Sequence, residues 1–262
     1  MFNRYAPSAI LLILGVIAGS HSATAQPHSA ADSLILKGKT LLEGGVNRGS
    51  IDSLKQARAL FKHATDSGDR RALAHYYAAL ADYRLANQLP DDTEDKKEPL
   101  LNDAVDHLTS ATDLAPTMAD AWALLAGCYG QRMGLDPMRG MSLGPKANEA
   151  MTQAKKLAPK NPRVWIIDAT SDFFAPNMFG GDKERALRKF KKAARLAEQE
   201  SVEDPLQPGW GHAEAHTWIG IAHMNAERFD KARTAFEKAL SINPEYGWVK
   251  TVLLPRLEQQ TE

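Results

Sequence analysis

One spacing recurs five times along this chain and limits what it can fold into: an alanine, three residues, a bulky apolar residue, two residues, another alanine. It appears as Ala57/Phe61/Ala64, Ala104/Leu108/Ala111, Ala147/Met151/Ala154, Ala186/Phe190/Ala193 and Ala232/Phe236/Ala239. Offsets of four and then three put the three side chains on one stripe of a helix. Small residues flanking a large one let two helices approach closely while the large side chain fills the gap. In three copies a proline follows five residues after the last alanine, at Pro116, Pro159 and Pro244, and marks where the helix stops.

A second helical pattern precedes each stripe. It is clearest at Trp122-x2-Leu125-Ala126-x2-Tyr129, a large anchor with a small residue four on and an aromatic seven on. His216, Ile219, Gly220 and His223 share these offsets, as do Trp165, Asp168, Ala169 and Asp172, and His75, Ala78, Ala79 and Asp82; Leu34, Gly38 and Leu41 fit more loosely. Start signals agree. Asn161-Pro162 reads as a cap followed by proline at the first helical position, and Thr117 with Asp120 three later resembles a capping box.

These residues resemble the tetratricopeptide repeat family, whose signature is a Trp-x2-Leu-Gly-x2-Tyr helix, then an Ala-x3-Phe helix and a proline. The resemblance implies an all-α fold, a right-handed superhelical array of about five helix hairpins, with repeats near 33–68, 72–116, 119–159, 162–198 and 213–244. Residues 245–262, with Trp248, Val252 and Leu253, are expected to form the helix that covers the last repeat, bent or ended by Pro255. Asp82 and Asp172, standing where the family has an aromatic residue, imply looser packing in those two copies.

The beginning of the chain reads as an export signal. Arg4 supplies positive charge, Ala9 to Gly19 is unbroken and apolar, and Ala23-Thr24-Ala25 offers a cleavage site. Residues 1–25 are therefore expected to be removed, leaving Gln26 first, 26–32 as a flexible tail and a periplasmic or secreted protein. Retention as an anchor is the alternative, although the apolar run is shorter than the roughly twenty residues that span a bilayer. No other segment reaches that length, so no stable membrane insertion is expected after cleavage. Thirty-two basic residues balance 32 acidic ones without a basic stripe, which argues against nucleic acid. The single cysteine, Cys128, lies in an apolar helical pattern and reads as a buried thiol.

Four of the five copies lengthen the same turn, the one inside the helix pair, so these insertions are expected as loops along one edge: GGVNRGS, LANQLPDDTEDKKEP, GQRMGLDPMRGMSLGP and APNMFGGDKE. Long loops on a rigid scaffold often carry function, although surface insertions also persist at little cost. A further interruption, Glu198 to Gly211, reads as a connection that buries Trp210.

Candidate chemistry is thin. His212-Ala-Glu-Ala-His216 has the histidine spacing of a zinc-protease helix, but its glutamate is displaced by one position, and His216 and His223 stand at packing offsets. Met133, Met138, Met141 and Met178 read as gap-fillers under loops. Asp182, after Gly180-Gly181, reads as a helix cap. No phosphate loop or nucleophile elbow is present, so no catalytic residue, metal or cofactor is expected.

In the resembled family the first helices line a concave surface. Here that stripe includes Tyr76, Leu80, Tyr83, Ile166, Thr170, Phe173, Ile221 and Met224, largely apolar and without the Lys and Asn of the family's chaperone-binding members. The implied role is an exported adaptor that binds a protein or peptide segment in this groove, aided by the edge loops. Two alternatives stay open: the stripe is filled by the protein's own loops, or the loops close it into a pocket for a small apolar ligand.

Overall fold

The structure, a computed structural model, describes residues 29–261 except 67, 69 and 91. The expected export signal and its cleavage site lie outside the described residues. Ten helices form five successive pairs: α1 (Ala30–Arg48) with α2 (Ile51–Ala64), α3 (Arg71–Gln88) with α4 (Glu94–Leu114), α5 (Ala119–Leu135) with α6 (Gly140–Leu157), α7 (Pro162–Phe174) with α8 (Lys183–Glu198), and α9 (His212–Asn225) with α10 (Phe229–Ile242). Each pair is an antiparallel hairpin stacked on its neighbour. No strand occurs among the described residues, and none of their helices is long and apolar enough to cross a membrane.

The alanine stripes hold the hairpins together. Every stripe residue except Ala147 is buried. A side chain at Gly38 of α1 would collide with the Phe61 ring, and one at Gly220 of α9 with the Phe236 ring. The loosely fitting first copy and the clear last one therefore use the same device: no Cβ on the first helix where a phenylalanine of the second presses in.

The insertions differ from expectation. Three of the four are longer helices rather than loops. α3 and α4 leave only 89–93 between them, α5 and α6 leave 136–139 with one 3-10 turn (Pro137–Arg139), and α1 and α2 leave Gly49 and Ser50. Pro99 and Pro145 sit inside α4 and α6. A proline inside a helix frees the carbonyl four residues back, here those of Asp95 and Met141, both exposed near a helix start where water can serve them. Only the fourth insertion, 175–182 between α7 and α8, is a true loop.

Caps follow the sequence in part. Asn161 accepts from the Arg163 amide at 2.9 Å, with Pro162 opening α7. Thr117 and Asp120 form no capping box, since Met118 is the cap residue and Asp120 instead accepts from Asn161 and Arg163 of the next hairpin. After α10, a π turn (Val249–Leu253) runs into α11 (Leu254–Gln259), packed on α10. Pro255 does not end this helix but stands in the first turn of α11, where its missing N–H costs nothing.

The array bends far enough for its ends to meet. Arg84 of α3 forms a two-pronged bond with Glu214 of α9, at 2.9 and 2.7 Å. Asn243, past α10, donates to Asn47 of α1 at 2.8 Å. Gly247 lies so close to the Asn47 carbonyl that a side chain there would strike it. Val46 of α1 packs against both the first core cluster and the one around α10 and α11.

Candidate functional site

The first helices of the five hairpins face this bend, and their apolar stripe is mostly covered. Tyr76, Leu80, Tyr83, Ile166, Phe173 and Met224 are buried, while Thr170 and Ile221 are half-buried. The cover over α3 is the connection 199–211. Leu206 is buried in the core cluster of hairpins 1 to 3. Trp210 is half-buried and donates from Nε1 to the Tyr76 hydroxyl at 2.9 Å, with the Arg84 guanidinium 4.8 Å from its ring centre. Gly211, with φ at 120°, packs against Ile166 and Arg163.

This connection is held largely through its backbone carbonyls. The Tyr77 hydroxyl donates to the Leu206 carbonyl at 2.7 Å. Lys39 of α1 donates to the carbonyls of Pro205 and Gln207, and Arg163 of α7 to that of Trp210 at 3.3 Å, while also binding Glu200 with two bonds of 2.7 Å. Burial pushes the Tyr76 and Tyr77 hydroxyls well above the usual phenol range, so both remain neutral donors. Burial alone would lower the Arg84 pKa, but Glu214 beside it drives it up, and the guanidinium stays charged.

Where α7, α9 and the final segment meet, apolar surface remains open. Phe174 is 67% exposed; its ring centre lies 5.7 Å from that of Trp218, which lies 6.0 Å from Trp248. Trp218 also stacks on Phe190 at 5.6 Å. Along the edge nearby, Met178 and Phe179 in 175–182, and Met138 and Met141 at the α5–α6 turn, are exposed. Met138, Met141 and Met178 are thus not gap-fillers, since the helices extend into the insertions and the turns left over have nothing beneath them to fill; Met133 is half-buried within α5. Sequence reading missed Phe174, Trp218 and Trp248 as a group because they stand at no shared offset of the repeat.

The remaining candidates resolve by their contacts. His212 and His216 lie with ring centres 5.8 Å apart, and Glu214 between them is committed to Arg84. Among the described residues no group of three His, Cys, Asp or Glu side chains is placed to hold a metal. His223 is buried and His216 only half-buried. Asp182 caps α8, accepting from the Arg185 amide at 2.8 Å, and Cys128 is buried, its thiol pushed up by desolvation. The two copies with aspartate at an aromatic position pair those acids rather than loosening: Asp82 with Arg58, and Asp172 with Arg185 and Lys189.

The tetratricopeptide repeat family model matches residues 213–246, the hairpin of α9 and α10. Among solved structures the fold is similar to that of a thermophilic TPR protein in Thermus thermophilus, with a TM-score of 0.57, 17% identity, and coverage of 85% of this chain and 97% of that one. The chain thus has the tetratricopeptide-repeat fold, with one hairpin that matches the repeat in sequence. Its fold is also similar to that of the HusA haemophore from Porphyromonas gingivalis, with a TM-score of 0.62, 21% identity, and coverage of 76% of this chain and 96% of that one. Comparison with curated protein sequences gave no match. Tetratricopeptide-repeat folds are in general scaffolds for protein–protein interaction, and this repeat protein has that architecture.

Proposed function

We propose that this repeat protein is an exported adaptor whose first-helix face and inserted edge hold an irregular segment of a partner protein. The observation that carries the reading is the connection 199–211. Side chains from α1, α3 and α7 grip its carbonyls at Pro205, Leu206, Gln207 and Trp210, a mode that tolerates sequence because every residue offers a carbonyl. The face is thus chemically suited to hold non-helical chain. With the α3 part occupied internally, the accessible portion is the row Phe174, Trp218 and Trp248, bordered by Met178 and Phe179. Aromatic side chains and methionine are the residue types that anchor interfaces.

The test is capture of envelope proteins by the purified protein and by its Phe174→Glu and Met178→Glu variants, with photocrosslinking from position 174. Exposed positions are used because charges at buried Tyr83 or Phe173 would unfold the chain. The adaptor reading expects one crosslinked protein, lost in both variants at unchanged helicity; capture indifferent to both substitutions refutes it. N-terminal sequencing of the envelope form, expected to begin at Gln26, tests export separately.

A second reading has its own support. The open aromatic row is a flat apolar surface, and the fold resembles that of a haemophore. A small planar apolar ligand would stack there. Haemin titration followed by tryptophan quenching decides: saturable quenching reduced by Trp218→Leu favours the ligand, and absence of saturation removes it.

A further inference from the structure

Hairpins 4 and 5 present the same positions to the cleft between their two helices, and they fill them differently. In hairpin 4, α7 offers Trp165, Asp168 and Asp172. Arg185 binds Asp172 at 2.7 and 3.0 Å, Lys189 reaches Asp168 and Asp172 at 2.7 and 2.6 Å, and Lys192 lies over the Trp165 ring. Each cation has its partner inside the hairpin. In hairpin 5 the equivalents are His216, Ile219 and His223 on α9, facing Lys231, Ala235 and Lys238 on α10. The carboxylates are gone and two of the three cations remain. Neither Lys231 nor Lys238 forms an ion pair among the described residues.

These positions, with Thr234, line a hollow of about 350 Å³. Ile219 and Ala235 make its middle apolar. Because α9 and α10 run antiparallel, His223 meets Lys231 at one end and His216 meets Lys238 at the other, and seven residues of helix separate the ends by about 10 Å. His223 is 5% exposed, and its Nδ1 has no hydrogen-bond partner. Burial, then the charges of Lys191, Arg228 and Lys231, hold its pKa below the ordinary imidazole value; burial, His212 and Lys238 do the same at His216. Of the nearby acids, Glu184 is engaged by Arg228 at 2.6 Å and Glu198 is exposed at the end of α8. Positive charge gathers at both ends of an apolar trough, and the protein does not neutralise it.

We propose that this hollow binds a small dianion with an apolar body, such as a medium-length α,ω-dicarboxylate. One carboxylate takes at Lys231 and His223 the place that Asp172 fills beside Arg185 in hairpin 4. The other is held by Lys238 and His216, and the chain between them lies on Ile219 and Ala235. The small volume favours a free molecule over a protein segment, and none of these residues belongs to the surface proposed for the partner.

Suberate titrated into the purified protein at constant ionic strength, followed through the histidine C–H NMR signals, is expected to shift His216 and His223 together. It is also expected to raise both imidazole pKa values, since an adjacent anion favours the charged ring. Succinate, too short to reach both ends, and octanoate, with one charge, are expected to bind about tenfold more weakly. Lys231→Gln with Lys238→Gln, both exposed, removes the response without touching the core, and His223→Asp, which restores the acid of hairpin 4, does so with helicity unchanged. The proposal is overturned by a suberate titration that leaves both histidines unmoved. It is equally overturned by octanoate or inorganic phosphate matching suberate, or by a response that survives the lysine or aspartate variants.

Discussion

The first helices build two apolar surfaces from similar residues, and only one is covered. Over α3, the tyrosines Tyr76 and Tyr77 lie beneath Leu206 and Trp210 and are fully buried. Around α7 and α9, Phe174 and Trp248 remain partly open although the helix pattern there is no less apolar. What separates them is a single connection, the irregular 199–211 between hairpins 4 and 5, together with the Arg84–Glu214 bond that draws hairpin 5 towards hairpin 2. Apolar patterning on a repeat identifies a face that must be covered by something. Whether the cover is the protein itself or a partner depends on where one irregular segment happens to run.

Breaking the closed side is expected to have the largest effect. Glu214→Ala leaves the Arg84 guanidinium buried without its partner, and losing one member of a buried pair costs about 3–5 kcal/mol. Urea unfolding measures this, and a loss below about 1 kcal/mol would mean that hairpins 2 and 5 are not joined in solution. Next comes Trp210→Ala, which removes a half-buried ring and the donor to Tyr76. Its cost is about 3 kcal/mol, at the low end for aromatic truncation, and hydrogen exchange should report faster opening in α3 than in α10. A uniform loss of protection would show that the connection braces the whole array instead. On the open side the expectation reverses: Phe174→Glu changes stability by no more than about 0.5 kcal/mol while abolishing capture of the partner. A large destabilisation by that variant would mean the aromatic row is core, and the contrast between the two surfaces would vanish.

Much of this was legible in the residues, and what was not has a common cause. The alanine stripes and the Asn161-Pro162 start are set by residues within four positions of one another, and periodicity and cap chemistry read them directly. Trp210 on Tyr76, and Glu214 on Arg84, join residues 134 and 130 positions apart. Trp210 marks Glu198 to Gly211 as a connection that buries a tryptophan, but nothing local in it says that α3 is the surface it covers. The insertions misread for a different reason: Gly44, Gly45, Pro99, Gly144 and Pro145 are breaker residues, yet they lie in helices. Gly45 packs against Leu54, where a side chain would collide, and the prolines fall close to helix starts, where a freed carbonyl meets water. Breakers signal a break only where tertiary packing does not want the helix.

The smallest expected effect lies beneath the closed side, in hairpin 2, and it is small because two groups oppose each other. His75 and His107 face across α3 and α4 with Nδ1 atoms 2.9 Å apart, a contact that needs at least one neutral ring. Burial, then His75 and Lys62, lower His107 to about 4, and burial with Arg71 lowers His75. A base depressed on folding contributes stability that is complete above its unfolded value near 6.5 and lost as pH falls towards 4. Asp82 carries the opposite sign. Burial, only partly offset by Arg58, raises it from 3.8 to about 7, so its contribution is complete below 3.8 and lost as pH rises through 7. Between pH 4 and 6.5 the two slopes offset in the native protein. His107→Gln should therefore become less stable than wild type, in relative terms, as pH rises through that window, and Asp82→Asn more stable. Urea midpoints for the three proteins at half-unit pH steps measure both differences, and variants that run parallel to wild type would show that neither group titrates differently on folding.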